Sequence, residues 1–293
     1  MPWAPKIFVY WKEFNEAPAL QAFDVRTCKD ARWYDVEITL ATELADCYET
    51  KNPNEADFFL IAHRGTCLAH AWLRTNYSVP IGWYFNNVSE GYMLPMLEKI
   101  RTRYPYFNRT SGRDHIIIGS HDEGIAQFGP ALRRRLQRTI RLQLVGLDSP
   151  AWVAQNNDAI DRAKVDIVVP TRNVDEADPS LQCEKNGNAC FFGTVHKNVQ
   201  YSHGVRQSLK AVGEAAYPGL VVDGHVATYA ASMCACKFAL CPSGYLPWSP
   251  RLVDAIILGT VPVIIADNIR VPFHRWIDYT KFSVKAHDAT VRD

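Results

Sequence analysis

The chain is punctuated by short runs that are apolar on nearly every residue and set apart by helix-length segments of mixed polarity. A run that is apolar throughout, rather than on alternate residues, fits a strand buried on both faces of a sheet. The first is Lys6-Ile7-Phe8-Val9-Tyr10 and the second Ala56-Asp57-Phe58-Phe59-Leu60-Ile61. His115–Gly119, Val165–Val169, Ala189–Gly193, Gly219–Val222 and Val261–Ile265 follow. Segments such as Glu37–Thr50 and Val205–Ala216 separate them. Strands alternating with helices predict α/β units built on mainly parallel sheets. With 293 residues the chain exceeds the size at which a single core keeps growing, so two domains are expected. The polar stretch Thr171–Asn188 contains Pro179 and Gly187 and has no apolar periodicity, which marks it as the linker. The expected division is therefore 1–178 and 179–293.

Composition removes several function classes. Lys and Arg number 32 against 31 Asp and Glu, a net charge of +1, so the basic excess of a nucleic-acid binder is missing. No stretch approaches the roughly 18 apolar residues that span a bilayer. The N-terminus lacks a charged segment followed by an apolar one. A cytosolic protein, or one whose anchor lies outside this sequence, is expected. The cysteines are Cys28, Cys47, Cys67, Cys183, Cys190, Cys234, Cys236 and Cys241, without zinc-finger spacing, so no metal site is expected. Cys183 and Cys190 flank the turn-like run Glu184–Asn188. A disulfide closing that hairpin and a pair of buried free thiols both stay open. Sequons at Asn76, Asn87 and Asn108 lean towards the secretory pathway. Leu132, Leu136, Ile140 and Leu144 recur at helical spacing, which would place Arg133, Arg134, Arg135, Arg138 and Arg141 on the other faces of one amphipathic helix. Such arginines form either a solvated face or a docking surface for an acidic acceptor such as a uronic-acid polysaccharide.

The segment Lys237–Val284 carries the chemistry. Lys237–Leu240 reads as a strand and Cys241–Trp248 as a loop. Ser249 suits an N-cap, Pro250 the first helical position, and Gly259 a left-handed C-terminal cap. A helix rising from a strand's carboxyl end favours phosphate, and Arg251 in its first turn adds a bidentate donor. Asp254, one turn deeper, could accept from ribose hydroxyls. An ordinary ion pair between Arg251 and Asp254 explains the same spacing.

These residues resemble the C-terminal signature of the exostosin family of glycosyltransferases. The elements are Lys237-Phe238-Ala239-Leu240-Cys241-Pro242-Ser243-Gly244, Ser249-Pro250-Arg251-Leu252-Val253-Asp254-Ala255-Ile256 and Gly259–Ile265. The N-terminal half is similar too, in Lys6–Tyr10, Asn54–Phe59, Tyr104–Arg109, Gly112–His115 and His121–Gly124. Asp166–Pro170 and Phe191–Gly193 continue the order, with Arg206 at the place of the family's arginine. Asp254 stands where the family has Glu, and Glu123 where it usually has Trp.

The resemblance implies a GT-B architecture, two Rossmann-like domains facing a cleft. The C-terminal domain would hold the donor and the N-terminal one the acceptor. It implies an inverting hexosyl- or pentosyltransferase of the Golgi lumen, normally membrane-anchored by a segment not present in this chain, that uses UDP-sugars to build polysaccharides. Family members continue past residue 293 with bracing helices. The sequence contains no D-x-D, so no metal or other cofactor is expected beyond the UDP-sugar co-substrate. Absence of G-x-x-x-x-G-K and G-x-G-x-x-G disfavours an NTPase or dehydrogenase, and absence of G-x-S-x-G a doubly wound hydrolase. Gly193, Arg206, Pro242, Ser243, Gly244, Ser249, Pro250, Arg251 and Asp254 are the expected donor-binding set, with the N–H groups around Ser243, Gly244 and Ser249 sharing the diphosphate. His121, Asp122 and His63, at strand ends, are the candidate bases, and His115 is expected to be structural. The alternative is a non-catalytic subunit that stabilises an active relative, and a hetero-oligomer with a related glycosyltransferase fits either reading.

Overall fold

The computed structural model describes residues 4–15, 34–75, 78–147, 166–171, 183–217, 219–224 and 226–292. The chain divides into two compact units, residues 1–144 with 150–169 and residues 145–149 with 170–293. The expected boundary at residue 178, most of the expected linker and the Asn76 sequon lie outside the described residues.

Unit 1 carries a parallel sheet of β1 (Ile7–Val9), β2 (Phe58–Ile61), β3 (His115–Gly119), β4 (Ile140–Gln143) and β5 (Ile167–Val168), in that spatial order. Its helices are α1 (Trp11–Asn15), α2 (Val36–Tyr48), α3 (Gly65–Thr75), α4 (Ile81–Val88), α5 (Leu94–Arg103), α6 (Tyr106–Thr110) and α7 (Pro130–Arg135). A π-helical turn, Ser89–Met93, joins α4 to α5 just before Pro95, whose missing N–H breaks the regular ladder. The core stacks Tyr10, Phe59 and His115, with ring centroids 4.8–6.0 Å apart.

Unit 2 carries β6 (Gly187–Phe192), β7 (Leu220–Asp223), β8 (Cys236–Pro242), β9 (Val261–Ile265) and β10 (Val284–Ala286), all parallel in the order β10-β9-β8-β6-β7. Alternate residues serve opposite faces. Phe191, Leu240 and Ile265 pack with Val205 and Leu209 of α8 (Val205–Ala216). Cys190, Phe192, Ala239 and Ile264 pack with Met233 of α9 (Tyr229–Cys234) and Leu252 of α10 (Arg251–Ile257). Helices thus cover both faces, as the continuous apolar runs require. A last helix, α11 (Asp288–Arg292), packs on α8. Both units are Rossmann-like α/β layers, as expected. Among the described residues no helix is long and apolar enough to cross a membrane.

Three expectations are corrected. The arginine-rich segment is not one helix: α7 ends at Arg135 and β4 begins at Ile140. Pairing with β3 overrides the local helical spacing, and Arg141 is drawn inside, 3.9 Å from the Asp166 carboxylate. Cys183 and Cys190 do not bond each other, because Gly187–Phe192 is one continuous strand and not a hairpin. Their partners are Cys234 and Cys236, so one disulfide ties the segment before β6, and the other the middle of β6, to the α9–β8 junction. Third, α10 begins at Arg251 after Pro250, without a side-chain cap from Ser249. Its C-terminus follows expectation: Gly259 takes φ +62°, and the Gly259 and Thr260 N–H groups donate to Ile256 and Ala255.

Candidate donor site in unit 2

The order of the second sheet reverses at β6, which has β8 on one side and β7 on the other. Ligands of doubly wound sheets bind outside the carboxyl ends of strands at such a switch point. Here β6 leads into Gly193, and β8 into Ser243 and Gly244.

Two arginines converge there. Arg206, in the first turn of α8, is 4% exposed; its Nε donates to the Ser243 carbonyl at 3.0 Å and its Nη1 to the Thr194 carbonyl at 3.0 Å. Arg251 donates through Nε to the Phe192 carbonyl at 2.6 Å and through Nη1 to Ser249 Oγ at 3.2 Å. Both guanidinium groups lie over the Phe191 ring, 5.4 and 4.9 Å from its centroid. Burial, and then the neighbouring Arg251 charge, lower Arg206 to about 10. All these partners are neutral, and among the described residues neither arginine is ion-paired with a carboxylate. Buried charges are ordinarily paired, so two adjacent cations with neutral partners make a site that an anion would complete.

The backbone is shaped to hold this pair. A Cβ at Gly193 would lie 2.8 Å from the Arg251 guanidinium carbon and closer still to Nη2. The group that comes closest to Gly193 is thus the Arg251 side chain. Ser202, His203 and Gly204 take φ of 61°, 51° and 82° in succession, just before the helix that carries Arg206. Left-handed non-glycine residues cost about 1–2 kcal/mol each. They persist here because Ser202 N–H donates to the Gly244 carbonyl, Ser202 Oγ accepts from Arg206 N–H, and His203 pairs with Asp288.

Other members of the expected set have different duties. The Ser243 N–H donates to the Ile265 carbonyl and the Gly244 N–H to the Leu246 carbonyl, so neither amide is left for a phosphate. The Ser243 hydroxyl is buried and has no hydrogen-bond partner among the described residues. Pro242 closes β8 opposite Ile265, and Pro250 accepts from the Val253 and Asp254 N–H groups. Asp254 is fully buried, and its Oδ2 accepts from Tyr229 OH at 2.8 Å. Arg251 and Asp254 thus take separate partners, and a surface ion pair is not what their spacing encodes.

In unit 1 the expected bases follow β2 and β3 as predicted. His63 Nδ1 accepts from the Gly65 N–H at 3.0 Å, which leaves Nε2 to donate to the Ile118 carbonyl at 2.9 Å. Burial holds it neutral, down to about 4. Both nitrogens are committed, so His63 has no lone pair to take a proton. His121 is 6% exposed, and its Nδ1 has no partner among the described residues. Burial and then His70 lower it to about 3. Its ring stacks on Tyr34 (5.2 Å) and lies against His70 (5.4 Å) and Phe85 (4.8 Å), while Tyr34 OH donates to Asp122 Oδ1 at 2.9 Å. His115 is structural, as expected. Its Nδ1 meets Asp114 at 2.7 Å and its Nε2 meets Tyr10 OH at 3.1 Å. Burial alone would raise Asp114, but hydrogen bonds from His115, Thr110 and Arg109 hold it at about 2.

Sequence reasoning missed Tyr34, His70, Tyr229 and Glu37. Glu37 reaches from α2 to accept from the Thr66 and Cys67 N–H groups at 3.1 and 2.9 Å, capping α3 across sequence distance. Burial raises its carboxyl to about 7. No local signal marks a cap supplied from another helix.

The Exostosin GT47 domain is matched over residues 3–293. The chain is similar to a probable glucuronoxylan glucuronosyltransferase of Arabidopsis thaliana, 27% identical over 98% of this chain and 62% of that protein. It is similar to a probable glucuronosyltransferase of Oryza sativa subsp. japonica, 30% identical over 80% of this chain and 56% of that protein. A probable beta-1,4-xylosyltransferase of Arabidopsis thaliana is 30% identical over 78% of this chain and 55% of its own length. The chain therefore spans little more than half the length of these curated relatives. The matched domain and the order of the motifs along both units give the same result: the chain belongs to the exostosin GT47 family.

Proposed function

We propose that this chain is the catalytic portion of an inverting glycosyltransferase that moves a hexosyl or pentosyl group from a UDP-sugar to a polysaccharide. The observation that carries the reading is the pair Arg206 and Arg251, buried or half-buried with neutral partners at the switch point of unit 2. A nucleoside diphosphate supplies the missing negative charge, and preorganised guanidinium groups then stabilise the leaving diphosphate as the glycosidic bond breaks. In this reading the two arginines take the place of a divalent cation, and no metal is needed. Ser243 Oγ adds a neutral donor beside them. The relatives' names, which include glucuronosyl and xylosyl transfer, support an acidic or pentose sugar as the donor group.

An inverting transfer also needs a base for the acceptor hydroxyl. Of the candidates, His121 retains a ring nitrogen that can take a proton, and Asp122 beside it is oriented by Tyr34. These two are proposed for the acceptor side, and His63 is reassigned to holding the loop. The two disulfides of unit 2 suit an oxidising lumen, which supports the secretory pathway and the Golgi as the site of action.

The test is calorimetric titration with UDP, with and without EDTA, on wild type, Arg251→Ala and His121→Ala. Binding that survives chelation, falls on the order of 100-fold in Arg251→Ala and is unchanged in His121→Ala, which instead loses turnover, is the expected result. Equal affinity in wild type and Arg251→Ala would sink the reading.

A further inference from the structure

A second cationic site lies in unit 1, at the opposite end of the strands from the candidate bases. A cavity of about 570 Å³ is lined by Arg101, Arg134, Arg135 and Arg138, together with Asn108 and Ser111. The arginines come from separate segments: Arg101 from α5, Arg134 and Arg135 from the end of α7, and Arg138 from the turn before β4. A solvated face of one helix would not bring them together. Glu98 pairs with Arg101 at 2.9 Å and with Arg135 at 3.5 Å. Among the described residues Arg134 and Arg138, both exposed, have no carboxylate partner. The lining is therefore strongly cationic even after Glu98 is counted. Asn108 is locked in place, with Arg101 Nε donating to its Oδ1 at 3.0 Å and its Nδ2 donating to the Arg101 carbonyl at 2.9 Å.

Position separates this cavity from the chemistry. Ser111 precedes β3 and Arg138 precedes β4, so both lie at the amino-terminal edge of the sheet. His121 and Asp122 follow β3 at its carboxyl edge, roughly 16 Å away along a five-residue strand. Reactive ligands of parallel sheets bind at carboxyl edges, so the arginine cavity has a different occupant from the reaction centre.

We propose that this cavity is an exosite for a carboxylate-bearing oligosaccharide, holding an acidic stretch of the acceptor chain away from the transfer point. Guanidinium forks match carboxylates bidentately. The hydroxyl of Ser111 suits a sugar hydroxyl, and the volume falls in the range of small-ligand pockets. This rests on the polysaccharide acceptor proposed above.

The experiment is titration of the full chain with trigalacturonate, xylotriose and inorganic phosphate, alongside UDP, on wild type and the Arg134→Ser/Arg138→Ser variant. Both substituted residues are exposed, and a thermal melt verifies that the variant folds. The expected result is that wild type binds trigalacturonate and not xylotriose, and that the variant binds it about tenfold or more weakly with unchanged UDP affinity. Equal binding in variant and wild type, absence of binding, or phosphate binding as tight as the trimer's overturns the exosite. Loss of UDP binding with trigalacturonate binding intact would count against the donor reading alone.

Discussion

The carboxyl edges of the two sheets have opposite electrostatic character. In unit 1 the edge is packed around neutral imidazoles, with Arg64 and Asp122 beside them: His63, His70 and His121 are all held uncharged by burial, and aromatic rings lie against them. In unit 2 the edge is cationic, with the Arg206 and Arg251 guanidinium groups over Phe191 and, among the described residues, no carboxylate paired with either. The same α/β architecture supports both, so fold alone does not say which edge takes an anion. The distinction lies in which charges are left without a partner. A second contrast is how each edge is held. In unit 2 two disulfides join β6 and the residues before it to the α9–β8 junction, whereas around the unit 1 imidazoles packed rings and hydrogen bonds act together with Cys67, itself disulfide-bonded at the start of α3.

Acid should separate the units most strongly. His70 lies at about 4 and His121 at about 3, against an ordinary 6.5, so the unfolded chain takes up protons first as pH falls. Their contribution is complete above about 6.5 and is lost progressively towards pH 3–4. The gap corresponds to roughly 3 kcal/mol for His70 and somewhat more for His121. His63 acts in the same direction. Glu37, raised from 4.5 to about 7, acts in the opposite direction and loses its contribution as pH rises through that range, offsetting much of His63. Hydrogen exchange followed from pH 7 to pH 4 should show unit 1 opening before unit 2. Replacing His70 and His121 with glutamine should flatten the dependence, and a parallel loss in both units would break the contrast.

Removing a disulfide should act on the other unit. Cys183 and Cys234 are 51 residues apart, a separation for which loop closure gives about 4 kcal/mol. Cys183→Ala/Cys234→Ala should lower the unfolding free energy of unit 2 by that order and leave exchange in unit 1 unchanged. A cost under about 1 kcal/mol would mean that packing alone holds β6 to the α9–β8 junction.

The smallest effect concerns Asp254. Tyr229→Phe removes one hydrogen bond to a buried carboxylate and should cost about 1–2 kcal/mol of stability. UDP affinity should stay unchanged, since Asp254 braces α10 from inside. A drop in affinity with stability intact would restore Asp254 to the ribose contact expected from its motif position.

Much of this was legible in the residues. His115–Gly119 and Val261–Ile265 are strands over their expected bounds because each is built on an unbroken apolar run, Ile116–Ile118 and Val261–Ile265, flanked by turn signals. Arg206, Arg251 and Gly193 meet as their motif order implies. What failed depended on distant pairing. Ile140–Gln143 looks helical by spacing and becomes a strand because β3 offers a partner. Cys183 and Cys190 look like a hairpin clasp and bond instead to cysteines brought near by β8. Asp254 and Glu37 take their roles from Tyr229 and from the N-terminus of α3, contacts that leave no trace in local sequence.

We propose that the arginine-bearing edge of unit 2, and not the imidazole-lined edge of unit 1, receives the nucleotide diphosphate. Amide hydrogen exchange with and without saturating UDP tests it most directly. Exchange should slow in the loops after β6 and β8 and in the first turn of α8, with the loops after β2 and β3 unaffected. Protection confined to the unit 1 loops, or none in a sample that binds UDP, would contradict it.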